Sequence, residues 1–257
     1  GFTSFDQKTT AAFAYGKSVI FDISGDNSSD IAINKAVTPS SFFLMNPKGH
    51  DYRFSGTGKI TGDVVIKKGM QGKATFGIDI ASTAKAVISE GTLESSAAIN
   101  CPLYIMARGT LAGTTTVNAP VYFEGALNYE GCRLMPGSAD DRFGTMTFNN
   151  GLTLPGKVYI ETTLSTAEGK AAIVKVNGDL TLKGINYFTI DCTDTDIKAG
   201  PYTLAECTGT LTADAANIKV RNLNGVPYRS QTETNKMVVT IDSQRKPAEG
   251  VLWEGST

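Results

Sequence analysis

A four-residue figure recurs three times between residues 90 and 127 of this chain. Each copy has a charged residue, a glycine, a small residue and a leucine, and the copies occupy 90–93, 108–111 and 124–127. They lie about 16 to 18 residues apart with no helix-forming run between them. One coil of a parallel β-helix consists of two or three short strands with bends between them, and each coil stacks on the last. The figure therefore predicts that Leu93, Leu111 and Leu127 form an internal ladder, with glycine at the bend and the charged residue facing solvent.

Short strand patterns fill the rest of the chain. Runs such as "GDVVIKKG", "PLYIMARG" and "KVYIETTL" alternate apolar with polar or small residues and end near Gly, Asn, Asp or Pro. No amphipathic helix of three or more turns is evident. "TAEGKAAIVKV" begins like a helix, but Gly169 and the β-branched residues that follow predict a loop entering a strand. We therefore predict an all-β fold, a right-handed parallel β-helix (β-solenoid) with an atypical N-terminal cap.

An antiparallel β-sandwich or meander is the alternative fold. "NNGLTLPG" and "VNGDLTLKG" both place Asn-Gly before a Leu-Thr-Leu strand. Asn-Gly is the strongest two-residue signal for a β-hairpin, so these segments fit antiparallel pairing as well as a solenoid.

Charge and hydropathy exclude two classes of partner. The formal net charge is −1, with 24 Lys and Arg against 25 Asp and Glu, and the basic residues do not cluster, so nothing indicates a strongly basic face for nucleic acid. The longest basic run, Lys67-Lys68, is interpreted as a solvated turn. No apolar segment approaches the length of about 20 residues that spans a bilayer. The nearest, "FAYGKSVIFDI", is interrupted by Lys17 and Asp22.

The four cysteines do not indicate a metal site. Cys101, Cys132, Cys192 and Cys207 include no C-x-x-C pair, and His50 is the only histidine, which argues against zinc. Cys192 and Cys207 end two similar strand-like runs, "YFTIDC" and "YTLAEC", so a disulfide between them is one alternative. Four small buried hydrophobic residues are the favoured interpretation.

Several longer segments resemble a known family. "YRFSGTGKITGDVVIKKGMQGKATF", "GTMTFNNGLTLPGKVYIETT" with "VKVNGDLTLKGINYFTI", and "AGPYTLAECTGTLTADAANIKV" with "NKMVVTID" follow one another along residues 52–242. In content and order they are similar to autotransporter passenger domains and to the autotransporter-associated β-strand repeats of large bacterial surface proteins. The first 50 residues fit this repeat poorly, and we expect them to cap the open end of the ladder.

The resemblance implies an organisation and a role. We expect strands and a cap at 1–50, solenoid coils at 51–242, and at 243–257 a linker or the start of a following module, where "VLWEGST" contains Trp253. The chain would then be one module of a longer exported protein, located outside the cell or at the bacterial surface in association with the outer membrane. Its expected role is a non-catalytic structural or display scaffold with adhesive contacts. Its partners would be neighbouring modules and cell-surface or host glycans.

Two acidic groups are the most evident candidates for chemistry. Asp140 and Asp141 precede Arg142 in "PGSADDRFG", where adjacent carboxylates could bind a cation and the arginine a uronate. A solvated turn is the favoured interpretation. Asp191, Asp194 and Asp196 in "DCTDTDIKAG" suggest calcium, but the segment lacks the glycine and terminal glutamate of an EF-hand loop.

The remaining candidates are a histidine and a set of aromatic residues. His50 precedes Asp51, but no G-x-S-x-G elbow supplies a nucleophile, so an exposed loop histidine is favoured. A platform on which sugar rings could stack is the other possibility, formed by Tyr104, Tyr122, Phe123 and Tyr129. Alternation places Tyr122 and Phe123 on opposite faces of a strand. The sequence predicts no enzyme and no cofactor; the alternative function is a carbohydrate-binding or polysaccharide-cleaving β-helix.

Overall fold

Strands are the only regular secondary structure in the part of the chain that the computed structural model describes. The described residues are 2–3, 10–11, 15–24, 29–124, 130–192, 198–213 and 227–242. None of them lies in a helix. The prediction of an all-β chain is therefore confirmed for these residues.

The strands are numbered in chain order. Up to residue 113 they are β1 (Phe2–Thr3), β2 (Thr10–Ala11), β3 (Ser18–Phe21), β4 (Asp30–Ala32), β5 (Ser41–Met45), β6 (Tyr52–Ser55), β7 (Lys59–Gly62), β8 (Val65–Gly69), β9 (Lys73–Phe76), β10 (Asp79–Ser82), β11 (Lys85–Ile88), β12 (Gly91–Ser95), β13 (Ala98–Ile99), β14 (Leu103–Met106) and β15 (Gly109–Gly113). Beyond it they are β16 (Thr116–Val117), β17 (Val121–Glu124), β18 (Cys132–Pro136), β19 (Thr145–Phe148), β20 (Leu152–Leu154), β21 (Val158–Ser165), β22 (Lys170–Ala171), β23 (Ile173–Val176), β24 (Leu180–Leu182), β25 (Tyr187–Cys192), β26 (Gly200–Cys207), β27 (Leu211–Thr212), β28 (Tyr228–Thr232) and β29 (Lys236–Ile241).

Most of these strands lie in three long sheets. Sheet 1 has the order β3-β5-β8-β11-β14-β17. Sheet 2 has the order β4-β6-β9-β12-β15-β18-β21-β22, with β25 also paired to β21. Sheet 3 has the order β7-β10-β13-β16-β19-β23-β26-β29-β28, and the short sheet 4 is β20-β24-β27. Pairing is parallel throughout sheets 1 and 4 and along the body of sheets 2 and 3.

The chain visits these sheets in a fixed order. Strands β5, β6 and β7 belong to sheets 1, 2 and 3, and β8, β9 and β10 repeat that order. We call one such passage a circuit. Each strand pairs with the equivalent strand of the preceding circuit, as β8 does with β5 and β9 with β6. In the later circuits sheet 4 follows sheet 3, as β20 follows β19. This arrangement of parallel strands is compatible with the β-helix that the recurring sequence figure predicts.

The glycine–leucine figure is in register between adjacent circuits. Gly91 pairs with Gly109, and Leu93 pairs with Leu111. Both leucines are completely buried. Leu127 lies outside the described residues, and the position beside Leu111 on its other side is taken by Leu134.

The leucines belong to a longer internal column of sheet 2. Successive paired positions along this column are Tyr52, Ala74, Leu93, Leu111, Leu134, Ile160 and Phe188. Each of these side chains is at most 6% exposed. Alternation along each strand directs these residues inward and their neighbours outward, so burial of one column fixes the register of the whole sheet.

Sheet 3 contains a second internal column and a polar ladder at its end. Its inward positions are Ile60, Ile80, Ile99, Val117, Phe148, Val176 and Cys207. The residue after each of the middle strands is an exposed asparagine. Asn118 Nδ2 donates to Asn100 Oδ1 at 2.6 Å, Asn149 Nδ2 to Asn118 Oδ1 at 2.5 Å, and Asn177 Nδ2 to Asn149 Oδ1 at 2.6 Å. Each side-chain amide donates a hydrogen bond to the asparagine of the preceding circuit, as in the amide ladders of stacked strands.

The two Asn-Gly segments pair in parallel. Leu152 pairs with Leu180, and Leu154 with Leu182. The antiparallel alternative is therefore wrong for these segments, because Asn-Gly here marks the corner between sheets 3 and 4 rather than a hairpin turn. "TAEGKAAIVKV" forms a turn followed by β22 and β23, as predicted.

The N-terminal part of the core is aromatic. Phe21, Phe42, Phe54 and Phe76 pack with ring centroids 4.7 to 6.2 Å apart. Strands β3, β4 and β5 already pair in parallel within sheets 1 and 2. The predicted division of the chain at residues 50 and 242 stays a prediction.

Antiparallel strands cover the last circuit of sheet 3. Strand β29 pairs with β26 on one side and with β28 on the other, both antiparallel. This reversal of direction ends the series of parallel strands on that sheet and covers an edge that would otherwise expose unpaired backbone groups.

Candidate functional site

A groove lies on the outer face of sheet 2. Its volume is about 530 Å³, and its lining includes Glu94, Met135, Arg142, Glu161, Thr189 and Asp191. The residues of its floor alternate with the inward column described above, which is why they face solvent. Glu94 pairs with Ala112 and Ala112 with Met135 across three circuits. Glu161 and Thr163 of β21 pair with Thr189 and Asp191 of β25.

A structured loop forms one wall of the groove. After β18 the chain turns at Gly137, which has φ +91° and forms an isolated antiparallel bridge with Gly113. The loop is held by its own hydrogen bonds: Ser138 N donates to Asp141 O at 2.8 Å, and Asp141 N donates to Ser138 Oγ at 3.0 Å. These bonds fix the backbone that carries Arg142 toward the groove.

Three of the four charged side chains that line the groove form ion pairs with residues around it. Glu94 forms an ion pair with Lys73 at 3.3 Å, Glu161 with Arg133 at 3.2 Å, and Arg142 with Glu168 at 3.4 Å. The Arg142 guanidinium also lies 4.6 Å from the ring centroid of Phe143. Pairs this exposed contribute little to stability, but they hold carboxylates and a guanidinium at defined places along the groove.

A pair of stacked tyrosines adjoins the groove on the same outer face. Tyr159 and Tyr187 have ring centroids 5.0 Å apart and an interplanar angle of 13°. The guanidinium of Arg133 lies 5.7 Å from the Tyr159 ring centroid. Since Tyr159 and Glu161 are two residues apart in β21, the tyrosine stack and the groove are neighbouring columns of one surface.

The structure places the two acidic candidates in different surroundings. Asp140 and Asp141 are exposed in the loop beside the groove, which agrees with a solvated turn. The neighbouring Arg142 forms an ion pair with Glu168. Asp191 lies in the groove, whereas Asp194 and Asp196 lie outside the described residues. Within the described ranges no three His, Cys, Asp or Glu side chains are close enough to hold a metal ion.

The histidine and the predicted aromatic platform lie elsewhere. His50 is exposed in a turn, where its carbonyl oxygen accepts a 2.7 Å hydrogen bond from Asn46 Nδ2. Tyr104 and Tyr122 stack on the outer face of sheet 1 at 4.8 Å, with Lys85 Nζ 5.3 Å from the Tyr104 ring centroid. Phe123 occupies an inward position, paired with Ile105.

Tyr129 lies outside the described residues. The prediction that Tyr122 and Phe123 face opposite sides of the strand is confirmed.

Sequence reasoning missed a buried lysine. The interpretation of Lys67-Lys68 as a solvated turn is wrong for Lys68, which is completely buried in strand β8. It pairs with Leu44 on one side and Ile88 on the other, in an inward column of sheet 1. Burial lowers the pKa of Lys68 to about 8, although the negative charges of Glu90 and Asp51 oppose this shift. Strict alternation was the available signal, because two adjacent lysines in one strand cannot both face solvent.

A second buried polar side chain, that of Asn46, lies at the corner between sheets 1 and 2 of the preceding circuit. Asn46 is completely buried, and its Nδ2 donates to His50 O at 2.7 Å and to Lys73 O at 3.0 Å. Its Oδ1 has no hydrogen-bond partner. Two carbonyl acceptors fix the orientation of the amide, so the unpaired oxygen is a consequence of that orientation.

All four cysteines are free thiols. Cys101, Cys132 and Cys207 are buried and Cys192 is half-buried. Burial raises the pKa of Cys101 and that of Cys132 to about 11, and it also raises the pKa of Cys207. The favoured interpretation as small buried hydrophobic residues agrees with these surroundings for three of the four. Cys192 lies in sheet 2 and Cys207 in sheet 3.

The described part of the chain contains no helix with the length and apolar character needed to cross a membrane. Comparison with models of protein families and with curated proteins finds no match to this chain.

Proposed function

We propose that this chain is a non-catalytic scaffold module, built as a right-handed parallel β-solenoid, of an exported bacterial surface protein. The observation that carries the proposal is the residue-for-residue register of the column from Tyr52 to Phe188, in which each position is paired with the next across successive circuits. In such a stack each circuit satisfies the backbone of its neighbour, so that length is added without a new core.

The geometry suits a spacer. Neighbouring strands lie about 4.8 Å apart, so six intervals between the seven positions of this column give an axial length of about 29 Å. The right-handed sense follows from the strong preference for right-handed connections between parallel strands of one sheet. The setting at a bacterial surface, the neighbouring modules and the adhesive contacts rest on the resemblance to autotransporter-type repeats.

The role is tested in the natural protein on intact cells. An epitope tag is placed after the module, and residues 52–242 are replaced by a flexible Gly/Ser linker in one version. With a linker of about eight residues, a scaffold role predicts that the antibody binds the tag in the parent protein and loses access to it in the linker version, because a Gly/Ser coil of that length spans about 16 Å against about 29 Å for the column. Equal access in both versions would contradict the scaffold role.

The non-catalytic part of the proposal has a separate test. Incubation of the module with neutral and acidic polysaccharides should release neither reducing ends nor unsaturated products. Release of either product would favour the alternative, a polysaccharide-cleaving β-helix.

A further inference from the structure

We propose that the groove on the outer face of sheet 2 binds a neutral, hydroxyl-rich glycan chain. The proposal does not depend on the scaffold role, because it rests on the chemistry of the groove alone. It assigns binding and no bond cleavage.

The charge of the lining argues against an anionic ligand. Three carboxylates, those of Glu94, Glu161 and Asp191, face one guanidinium, that of Arg142. With the ion-pair partners Glu168, Lys73 and Arg133 included, the groove and its rim carry four negative and three positive charges. A polyuronate or a phosphorylated ligand would therefore meet more negative than positive charge, and like charges at close range repel. A ligand without charge avoids this cost.

The polar groups of the lining match the hydroxyl groups of a sugar. Carboxylate oxygens only accept hydrogen bonds, a guanidinium only donates them, and a threonine or serine hydroxyl does both. Glu161, Thr163, Thr189, Asp191 and Ser138 supply the acceptors and hydroxyls, and Arg142 supplies a donor. A sugar hydroxyl rotates to donate to one group and accept from another, so a row of such groups can be satisfied along this lining.

The floor of the groove favours a glycan over an extended peptide. Strand β25 pairs with β21 on one side, and the lining side chains project from the face of sheet 2. A ligand on that face is contacted by side chains, so strand addition to a sheet edge is not the mode of binding there. Ala112, Met135 and Pro136 supply small apolar surfaces against which the C–H face of a sugar ring can pack.

The spacing of the circuits gives the groove a direction. Its lining reaches from Glu94 in β12 to Asp191 in β25, and therefore crosses five strands of sheet 2. Adjacent strands are about 4.8 Å apart, a repeat close to the length of one sugar residue in a chain. A linear glycan running across the strands would thus present one residue to each circuit.

Isothermal titration calorimetry on the whole chain tests the proposal. The probes are hexasaccharides of a β-glucan, a xylan and a mannan, with hexagalacturonate as the anionic comparator and hexalysine as the cationic peptide comparator. We expect at least one neutral hexasaccharide to bind, hexagalacturonate to bind more weakly because the lining repels it, and any binding of hexalysine to be lost in about 0.5 M NaCl, a concentration that leaves the neutral sugar bound. Because a neutral ligand carries no counterions, its affinity should not change between about 0.05 and 0.5 M NaCl.

Two variants locate the site. Thr189→Val removes one hydroxyl from the groove at nearly constant shape and should raise the dissociation constant about fivefold, and the isosteric Asp191→Asn should raise it about threefold by weakening one acceptor. Thr181→Val is the matched control, since Thr181 is a half-buried outward threonine in β24 of sheet 4. It should leave binding unchanged, and thermal unfolding of all three variants reports on their folding.

Four outcomes would overturn the proposal. They are the absence of binding by every probe, tighter binding of hexagalacturonate than of any neutral sugar, binding of hexalysine alone, and neutral-sugar binding that both groove variants leave unchanged.

Discussion

Lys68 Nζ donates a 2.8 Å hydrogen bond to the carbonyl oxygen of Met70, inside the corner between sheets 1 and 2. A second bond of 2.7 Å goes to the carbonyl oxygen of Gly69. A neutral amine still has two N–H groups, so both bonds survive loss of the ammonium proton. Deprotonation therefore removes the cost of a buried charge without leaving these carbonyl groups unpaired.

The lowered pKa makes stability depend on pH in a known direction. The pKa of Lys68 is about 8 in the folded chain against 10.5 for an ordinary lysine, so the unfolded chain binds more protons between these values and stability rises with pH across that window. Relative to Lys68→Met, the parent should gain up to about 3 kcal/mol in unfolding free energy from pH 7 to 10.5. Urea unfolding at a series of pH values measures this. Lys67→Met, which changes the adjacent exposed lysine, is the control and should keep the pH slope of the parent; identical slopes for the two variants would contradict the assignment.

Leu111→Ala tests the internal column of sheet 2. Leu111 is completely buried and lies between Leu93 and Leu134. Its truncation leaves a cavity, and we expect a loss of about 3 kcal/mol in unfolding free energy, measured by urea titration. Thr181→Ala, at a half-buried outward position, should change stability by less than about 0.5 kcal/mol. A loss below about 1 kcal/mol for Leu111→Ala would argue against tight stacking of the column.

Gly91→Ala separates steric contact from backbone strain. Gly91 and Gly16 share a φ of +74°, but an added Cβ at Gly91 would lie 2.2 Å from Met70 O, whereas nothing lies within 4 Å at Gly16. Gly16→Ala should therefore lower the unfolding free energy only by the cost of holding an alanine in the left-handed conformation, about 1–2 kcal/mol. Gly91→Ala should cost about 2 kcal/mol more, because rigid backbone of the preceding circuit must move. Chemical denaturation measures both, and equal losses would show that the circuits are not in close contact at this corner.

Asn118→Asp tests the asparagine ladder. Asn118 donates to Asn100 and accepts from Asn149, and a carboxylate can keep the second bond but not the first. The carboxylate would instead face the side-chain amide oxygen of Asn100. We expect a loss of about 1–2 kcal/mol at pH 7, reduced at low pH where the carboxyl group is protonated and can donate again. Thermal unfolding at pH 7 and pH 3.5 compares this variant with Gln71→Glu, the same amide-to-acid change at an exposed position. An equal loss of stability in Asn118→Asp and Gln71→Glu would show that the hydrogen bonds of the ladder do not stabilise the fold.

The cysteines should differ in reactivity. The pKa values of Cys101 and Cys132 are raised to about 11 by burial, and a thiol reacts through its thiolate. Cys192 is the only half-buried cysteine. Alkylation of the native chain at pH 8, followed by peptide mass spectrometry, should therefore modify Cys192 first and Cys101 and Cys132 only after unfolding. Rapid native modification of Cys101 would contradict its position in the core.

Local pattern alone determined the strand character of the chain and part of its register. The Gly-Thr-Leu figure predicted the pairing of Leu93 with Leu111, because both lie at the same point of consecutive circuits of similar length. The third copy ends at Leu127, which lies outside the described residues, and the next paired position beside Leu111 belongs to Leu134. The asparagine ladder shows that the spacing changes: its partners are 18 residues apart between Asn100 and Asn118, but 31 apart between Asn118 and Asn149. Loops inserted in the later circuits break the sequence period while the stacking of the strands continues.

Alternation requires one of Lys67 and Lys68 to point inward, but only the tertiary structure decided that it is Lys68 and which residues line the groove. Lys68 is directed inward because strict alternation and the burial of Ile66 in the same strand leave it no outward position. The groove collects Glu94, Glu161 and Asp191 from strands far apart in sequence, since each circuit returns the chain to the same sheet. Sequence patterns report periodicity within a strand. Which outward residues become neighbours depends on how many residues each circuit contains, and that number is set by packing across the whole stack.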